Sequence, residues 1–186
     1  MNWKRVVKPV LLVTTFCLAA YQDGPEAREP SQSSSQTRTP VKPTLAKTKV
    51  SEAMAAAKKW KADAILIQIA GRNISDDGTY VLWEYGFYSP AAKNCLVVNV
   101  ATTTTQQESG GAMCESSELT EFMDSDQAMS IARKNGITKP RASMVASASG
   151  RGAIWTVMDE GGMKPGNVML DIDAKTGGVL NKTSQR

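Results

Sequence analysis

The alternation of apolar and polar residues is clearest near the end of the chain. Residues 168–173 read Val-Met-Leu-Asp-Ile-Asp, so Val168, Leu170 and Ile172 fall on one side of an extended chain. A period of two is that of a β-strand with one buried face. Residues 179 and 180, Val and Leu, begin another apolar run after a short polar interval. The pattern therefore predicts a half-buried strand followed by a turn.

The polar interval after this strand has the composition of a tight turn. Asp173 can accept hydrogen bonds from backbone amides ahead of it, Thr176 can do so more weakly, and Gly177 tolerates a positive φ. Asp171 and Asp173 are predicted to share one face of the strand. We interpret both as part of a solvent-exposed face, with Asp173 also capping the turn. The alternative is that the two carboxylates bind a hard cation.

Upstream, the apolar spacing predicts a first group of elements. Ser51 can cap a helix that continues to about Lys61, and Glu52 suits its first turn. Apolar, β-rich runs at 65–69, 79–88 and 96–100 then predict three strands, with a hairpin signal at Asp76-Asp-Gly before the second. The order is helix, strand, strand, strand.

The same order is predicted a second time. A helix is expected from Ser125 to Asn135, ended by Gly136, and strands are expected at 142–149, 153–158 and from residue 168. The run at 142–149 consists of small residues and is the weakest of these strands.

Individual residues also correspond between the two groups. Met54 aligns with Met129 at an offset of 75, and Trp83 aligns with Trp155 at an offset of 72. Repetition of this kind predicts duplicated architecture. We therefore predict an α+β protein with two tandem small units, 50–107 and 120–182. Each unit has one helix packed on a three-stranded antiparallel sheet, and these four side chains lie in the cores.

The first 49 residues are not expected to belong to these units. Residues 1–20 have a basic start, an apolar stretch of 11 residues and small residues at the end, which is the layout of a secretory signal peptide. A membrane-spanning helix needs about 20 apolar residues, so this stretch is too short. Lipid attachment at Cys17 is an alternative to cleavage. Residues 21–49, rich in Pro and Ser, predict a disordered linker.

Net charge gives little support to nucleic-acid binding. The chain carries 22 basic and 18 acidic residues, or +4, but three basic residues belong to the predicted signal peptide, which leaves 19 against 18. From Ser51 onward, 14 basic residues face 15 acidic ones. A nucleic-acid-binding domain needs a basic surface of its own, so we do not expect nucleic acid as a partner.

Two cysteines remain after signal removal. An exported protein meets an oxidising compartment, where an even pair usually forms a disulfide, so we predict a bridge between Cys95 and Cys114. Closing a loop of about 20 residues should stabilise the fold by roughly 3 kcal/mol in the chain-entropy model. The sequence has no Cys-x-x-Cys motif, so the predicted role is structural.

The second unit resembles the PepSY domain family. The residues that carry the resemblance lie in the helix and its stop, in the middle strand, and in the strand and turn that follow: Ala128, Ile131, Ala132, Gly136, Trp155 to Val157, and Leu170 to Leu180. The first unit has Asn-Val-Ala-Thr-Thr from residue 99 in place of the turn motif and is assigned only through the repeat. PepSY modules occur in secreted and membrane-bound bacterial proteins, including propeptides of some metallopeptidases. The resemblance implies binding or regulation of a protein partner rather than catalysis.

The side-chain chemistry favours the same class of function. The chain has no histidine, which removes the commonest general base and zinc ligand, and no glycine-rich loop has a phosphate-binding pattern. We predict no catalytic residue, cofactor or metal. The leading hypothesis is a non-catalytic envelope protein, periplasmic or extracellular, that binds a protein and restrains a peptidase. The alternative is a structural or adhesive protein that acts through exposed sheet edges.

Overall fold

The computed structural model of the chain describes residues 41–101, 104–109, 117–139, 141–149 and 152–184. The predicted signal peptide, Cys17, Cys114 and most of the predicted linker lie outside these ranges. The described residues belong to one compact unit.

Two α-helices are present in the described ranges. Helix α1 (Val50–Trp60) follows a 3₁₀ turn at Ala46–Lys49, and helix α2 spans Ser125–Lys134. At the start of α2 the side chain of Asp124 accepts a hydrogen bond from the amide of Ser125, and Gly136 follows the helix with a φ of 103°. A capping carboxylate at the start and a glycine just past the end are the usual limits of a helix.

Within the described ranges, eight antiparallel strands form one sheet. Their order across the sheet is β4-β3-β2-β1-β5-β6-β7-β8, so the two central strands β1 and β5 come from different halves of the chain. The strands are β1 (Ile65–Ile74), β2 (Trp83–Ser89), β3 (Asn94–Val100), β4 (Thr104–Ser109), β5 (Ala142–Ser149), β6 (Gly152–Asp159), β7 (Val168–Asp173) and β8 (Val179–Ser184).

The predicted fold class is wrong. The ranges 50–107 and 120–182 were expected to form separate units with three strands each, but each half contributes four strands to one continuous sheet. The fourth strand of the first half, β4, is Thr-Thr-Gln-Gln-Glu-Ser, which has no apolar face because an edge strand can remain exposed to water. The joining of the halves leaves no local signal, since backbone groups of β1 pair with those of β5 (Gln68 opposite Ser147).

Both helices cover the same face of this sheet. Trp83 on β2 and Trp155 on β6 are fully buried, and both belong to one hydrophobic core. The indole N–H of Trp83 donates to the carbonyl oxygen of Thr44 at 2.8 Å, and that of Trp155 donates to the carbonyl oxygen of Met123 at 3.0 Å. Each acceptor lies shortly before a helix. The two indoles therefore attach equivalent chain segments to the sheet and satisfy their own buried N–H groups.

The methionines predicted to pair with these tryptophans differ in burial. Met129 on α2 is fully buried, whereas Met54 on α1 is partly buried and packs at the border of the same core. Space for the first indole depends on Gly71 of β1. A Cβ atom at this position would lie 2.8 Å from the ring of Trp83 and 2.5 Å from Cδ1 of Ile74, so only glycine fits without rearrangement.

A buried carboxylate connects three parts of the second half. Asp159, at the end of β6, is 1% exposed. Its Oδ1 accepts from the amides of Thr138 and Lys139, and its Oδ2 accepts from the amide of Val168, each at 3.0 Å. The carboxylate thereby fixes the α2–β5 connection and the start of β7 against β6. In the first half, Asp63 of the α1–β1 connection accepts a hydrogen bond from the hydroxyl of Ser89 at the end of β2, at 2.8 Å.

Candidate functional site

The face of the sheet opposite the helices is open. In the described part of the chain, no helix lies over it. Its side chains form rows that continue from strand to strand, because adjacent strands are in register. One row crosses all eight strands, and its members are Thr105, Asn99, Glu84, Ala70, Val145, Thr156, Asp171 and Asn181. We call this surface the open face.

A trough of about 620 Å³ lies at the middle of the open face. Its volume falls within the roughly 300–1,000 Å³ of protein ligand clefts. Strands β1, β2, β3, β5 and β6 and the β6–β7 loop provide the lining residues: Gln68, Ala70, Gly71, Arg72, Asn73, Glu84, Gly86, Val97, Ser143, Val145, Met158, Gly161 and Gly162.

Small residues form the centre of the trough. Ala70 on β1, Gly86 on β2 and Ser143 on β5 leave a depression in the pleated surface. Val97 and Met158 line it from β3 and β6, on either side of these strands. Small residues in the middle and larger ones at the sides give a concave surface with mixed polar and apolar contacts.

Two side chains of opposite charge line this depression. Arg72 and Glu84 are both exposed, and neither forms an ion pair with a residue of the described ranges. Beside Glu84 on the neighbouring strand, Asn99 has a side-chain oxygen that is buried and accepts no hydrogen bond. A buried unpaired acceptor is unfavourable by about 1–3 kcal/mol. The exposed side chains of Arg72 and Glu84 are available to a ligand or partner, whereas the Asn99 oxygen must turn outward before a ligand can reach it.

The first carboxylate of the predicted acidic pair, Asp171, lies in the eight-strand row and is already hydrogen-bonded. It accepts from the hydroxyl of Thr156 at 2.7 Å and from the side-chain amide of Asn181 at 3.3 Å. Among the described residues, no three His, Cys, Asp or Glu side chains come together in a group that could hold a metal ion.

The second carboxylate, Asp173, belongs to the last residue of β7, where the turn to β8 begins. Its Oδ1 accepts from the amides of Thr176 at 2.8 Å and Lys175 at 2.9 Å, and these hydrogen bonds lower the pKa of the Asp173 carboxyl. Gly177 has a φ of 78°, and the hydroxyl of Thr176 accepts from the amide of Gly178 at 3.3 Å. The three residues of the predicted turn motif thus form a local hydrogen-bonded turn at one end of the sheet, outside the trough.

Of the two predicted disulfide cysteines, the structure describes Cys95. It is 3% exposed and lies in a small cluster with Ile67 and Tyr88, apart from the main core. Its sulfur is disulfide-bonded and does not titrate. Cys114 lies outside the described residues, so its pairing with Cys95 stays a prediction.

The trough can therefore hold a ligand or part of a partner protein. Its lining side chains do not include a general base paired with a nucleophile. The chain has no histidine, and Arg72 and Glu84 are the charged residues that line the trough. Sequence reasoning did not find this site. Two signals were present: the run of small residues at 142–149, and the placement of Glu84 and Gly86 on the strand face opposite Trp83.

Comparison with known proteins supports the fold. No protein-family model matches the chain, and no curated protein matches it. Among solved structures, the chain is similar to the crystal structure of a putative lipoprotein from Clostridium difficile 630, with a TM-score of 0.52 and 15% sequence identity over 73% of this chain and 91% of that chain. At this identity the likeness shows a shared fold, and membership in the PepSY family stays a prediction.

In the ranges that the structure describes, no helix is long and apolar enough to cross a bilayer.

Proposed function

We propose that this chain is an exported, non-catalytic protein of the cell envelope that holds a protein partner on the open face of its sheet. The observation that carries the proposal is the trough, in which Arg72 and Glu84 are exposed and form no ion pair with any of the described residues. Helix packing on the opposite face keeps the sheet rigid, so the binding surface is preformed. Preformed surfaces bind with a smaller ordering cost.

Export and envelope location rest on two supports. Residues 1–20 have the layout of a signal peptide, and the structurally similar protein is itself named a putative lipoprotein. The mature protein is expected to begin near Tyr21, and the alternative is a lipid anchor at Cys17. Intact mass of the exported protein distinguishes them, because a diacylglycerol adduct on Cys17 would exclude cleavage after residue 20.

A peptidase is the more specific partner that we propose. It is supported by the resemblance of residues 120–182 to PepSY modules, some of which belong to metallopeptidase propeptides. The competing function is self-association or adhesion through sheet edges. On the edge strand β8, Val179 and Leu180 are exposed, but Leu180 lies at a register shift and Lys182 is also exposed on this strand. Bulges and edge lysines oppose strand addition, so we favour the open face.

Photo-crosslinking from both faces of the sheet tests the proposal. A photoreactive residue replaces Val145 in the trough, and a matched control replaces Ala55, which is exposed on α1. In cells that express the protein natively, we expect one discrete adduct from position 145 and none from position 55. Mass spectrometry of that adduct then identifies a peptidase or another protein. Equal adducts from both positions, an adduct between two copies of this chain, or no adduct at position 145 would contradict the proposal.

A further inference from the structure

Glu84 and Asn99 form a pair of hydrogen-bond acceptors on the open face. They lie directly opposite each other on β2 and β3, and Cβ atoms in such cross-strand pairs are about 4.5–5.5 Å apart. The carboxylate of Glu84 is exposed, and it makes no side-chain hydrogen bond in the described ranges. The side-chain oxygen of Asn99 is buried and unpaired. Asn99 also carries an NH₂ group, but it donates no hydrogen bond to Glu84 in the described ranges, so the carboxylate and the amide oxygen are both left without a donor.

A cationic side chain fits this pair best. An ammonium or guanidinium group donates several hydrogen bonds and accepts none, so it can bond both oxygens at once. The amide of Asn99 can turn toward the carboxylate, because the terminal torsion of Asn is broad. Val97, two residues before Asn99 on the same face of β3, offers apolar surface to the methylene stem of a lysine or arginine.

In the structure, no cationic side chain of the described residues forms an ion pair with Glu84. Arg72 also lines the trough, but it lies on β1 two residues beyond Ala70, the cross-strand neighbour of Glu84, and it forms no ion pair with that carboxylate. The backbone groups on the open face are used in strand pairing, so an occupant must make contacts through its side chains. A protruding loop of a folded protein meets this requirement, whereas an added strand does not.

We propose that Glu84 and Asn99 bind a lysine or arginine side chain at the tip of a partner's loop, with Val97 and Val145 in contact with the rest of that loop. This inference rests on the proposed function, since it specifies the chemistry of the partner held by the open face. Glu84 supplies the charge, and Asn99 supplies a second acceptor, whose oxygen has no hydrogen bond to lose when it turns toward the cation. A charge-assisted hydrogen bond in this setting should contribute a factor of about 10–100 in affinity.

The test uses a display library of disulfide-closed loops selected against the folded protein. Loops that compete with crosslinking from position 145 are sequenced, and their affinities are measured for three proteins: wild type, Glu84→Gln, and the control Glu118→Gln, which removes an exposed carboxylate outside the trough. We expect a basic residue at one fixed loop position. We also expect a loss of about ten-fold or more for Glu84→Gln, and no change for the control.

An exchange of charges between the loop and position 84 tests the cation site further. Replacement of the basic loop residue by glutamate should restore binding to Glu84→Lys, because the charges are then exchanged. Open-face loops without a basic residue, or loops insensitive to Glu84→Gln, would overturn the cation site and leave the proposed function intact. Loss of the native adduct from position 145 is the separate result that would refute the proposed function. Far-ultraviolet circular dichroism of each variant confirms that the fold is unchanged.

Discussion

Replacement of Asp159 by alanine tests whether one buried carboxylate holds the second half together. The variant leaves the amides of Thr138, Lys139 and Val168 without their acceptor. An unsatisfied buried donor is unfavourable by about 1–3 kcal/mol. Thr138 and Lys139 are exposed, so water can replace part of the loss there, whereas Val168 is partly buried. We therefore expect the free energy of unfolding to fall by about 2–4 kcal/mol.

Urea denaturation monitored by circular dichroism measures this change. Asp159→Asn should be intermediate, since its oxygen can still accept from Thr138 and Lys139 while its NH₂ group faces the amide of Val168. The matched control is Glu160→Ala, which removes the neighbouring exposed carboxylate and should change stability by less than about 0.5 kcal/mol. If Asp159→Ala unfolds at the same urea concentration as this control, the carboxylate does not fix these segments.

Three further predictions concern the core, the cysteines and the turn. Trp83→Ala and Trp155→Ala should each lower the free energy of unfolding by about 3–5 kcal/mol, because each leaves a large cavity and an unpaired backbone carbonyl; a loss below about 1 kcal/mol by the same assay would contradict core packing. Thiol titration of the denatured, unreduced mature protein should find neither Cys95 nor Cys114 free, and two titratable thiols would refute the bridge. The lowered pKa of Asp173 means that this group stabilises the fold above its unfolded pKa and that the contribution is lost as pH falls through its folded pKa. Asp173→Asn should therefore reduce the loss of stability between neutral pH and about pH 3, and an unchanged pH profile would contradict this.

Several features of the protein could be predicted from the sequence because they depend on residues close together in the chain. The alternation at 168–173 gives a strand whose buried face carries Leu170 and Ile172. The turn at Asp173 forms through hydrogen bonds within four residues. The two tryptophans lie on the helix side of their strands because both occupy the apolar phase of a period-two pattern.

Other features depended on contacts between distant parts of the chain. Pairing of β1 with β5 unites the two halves into one sheet, and its hydrogen bonds join backbone groups that leave no trace in residue type. Strand β4 was not predicted because a polar edge strand has no buried face and therefore no alternation. The trough depends on two features of the tertiary structure. Arg72, Glu84 and Val145 lie on three different strands, and they share one surface only because the sheet continues across the two halves and the helices occupy its other face.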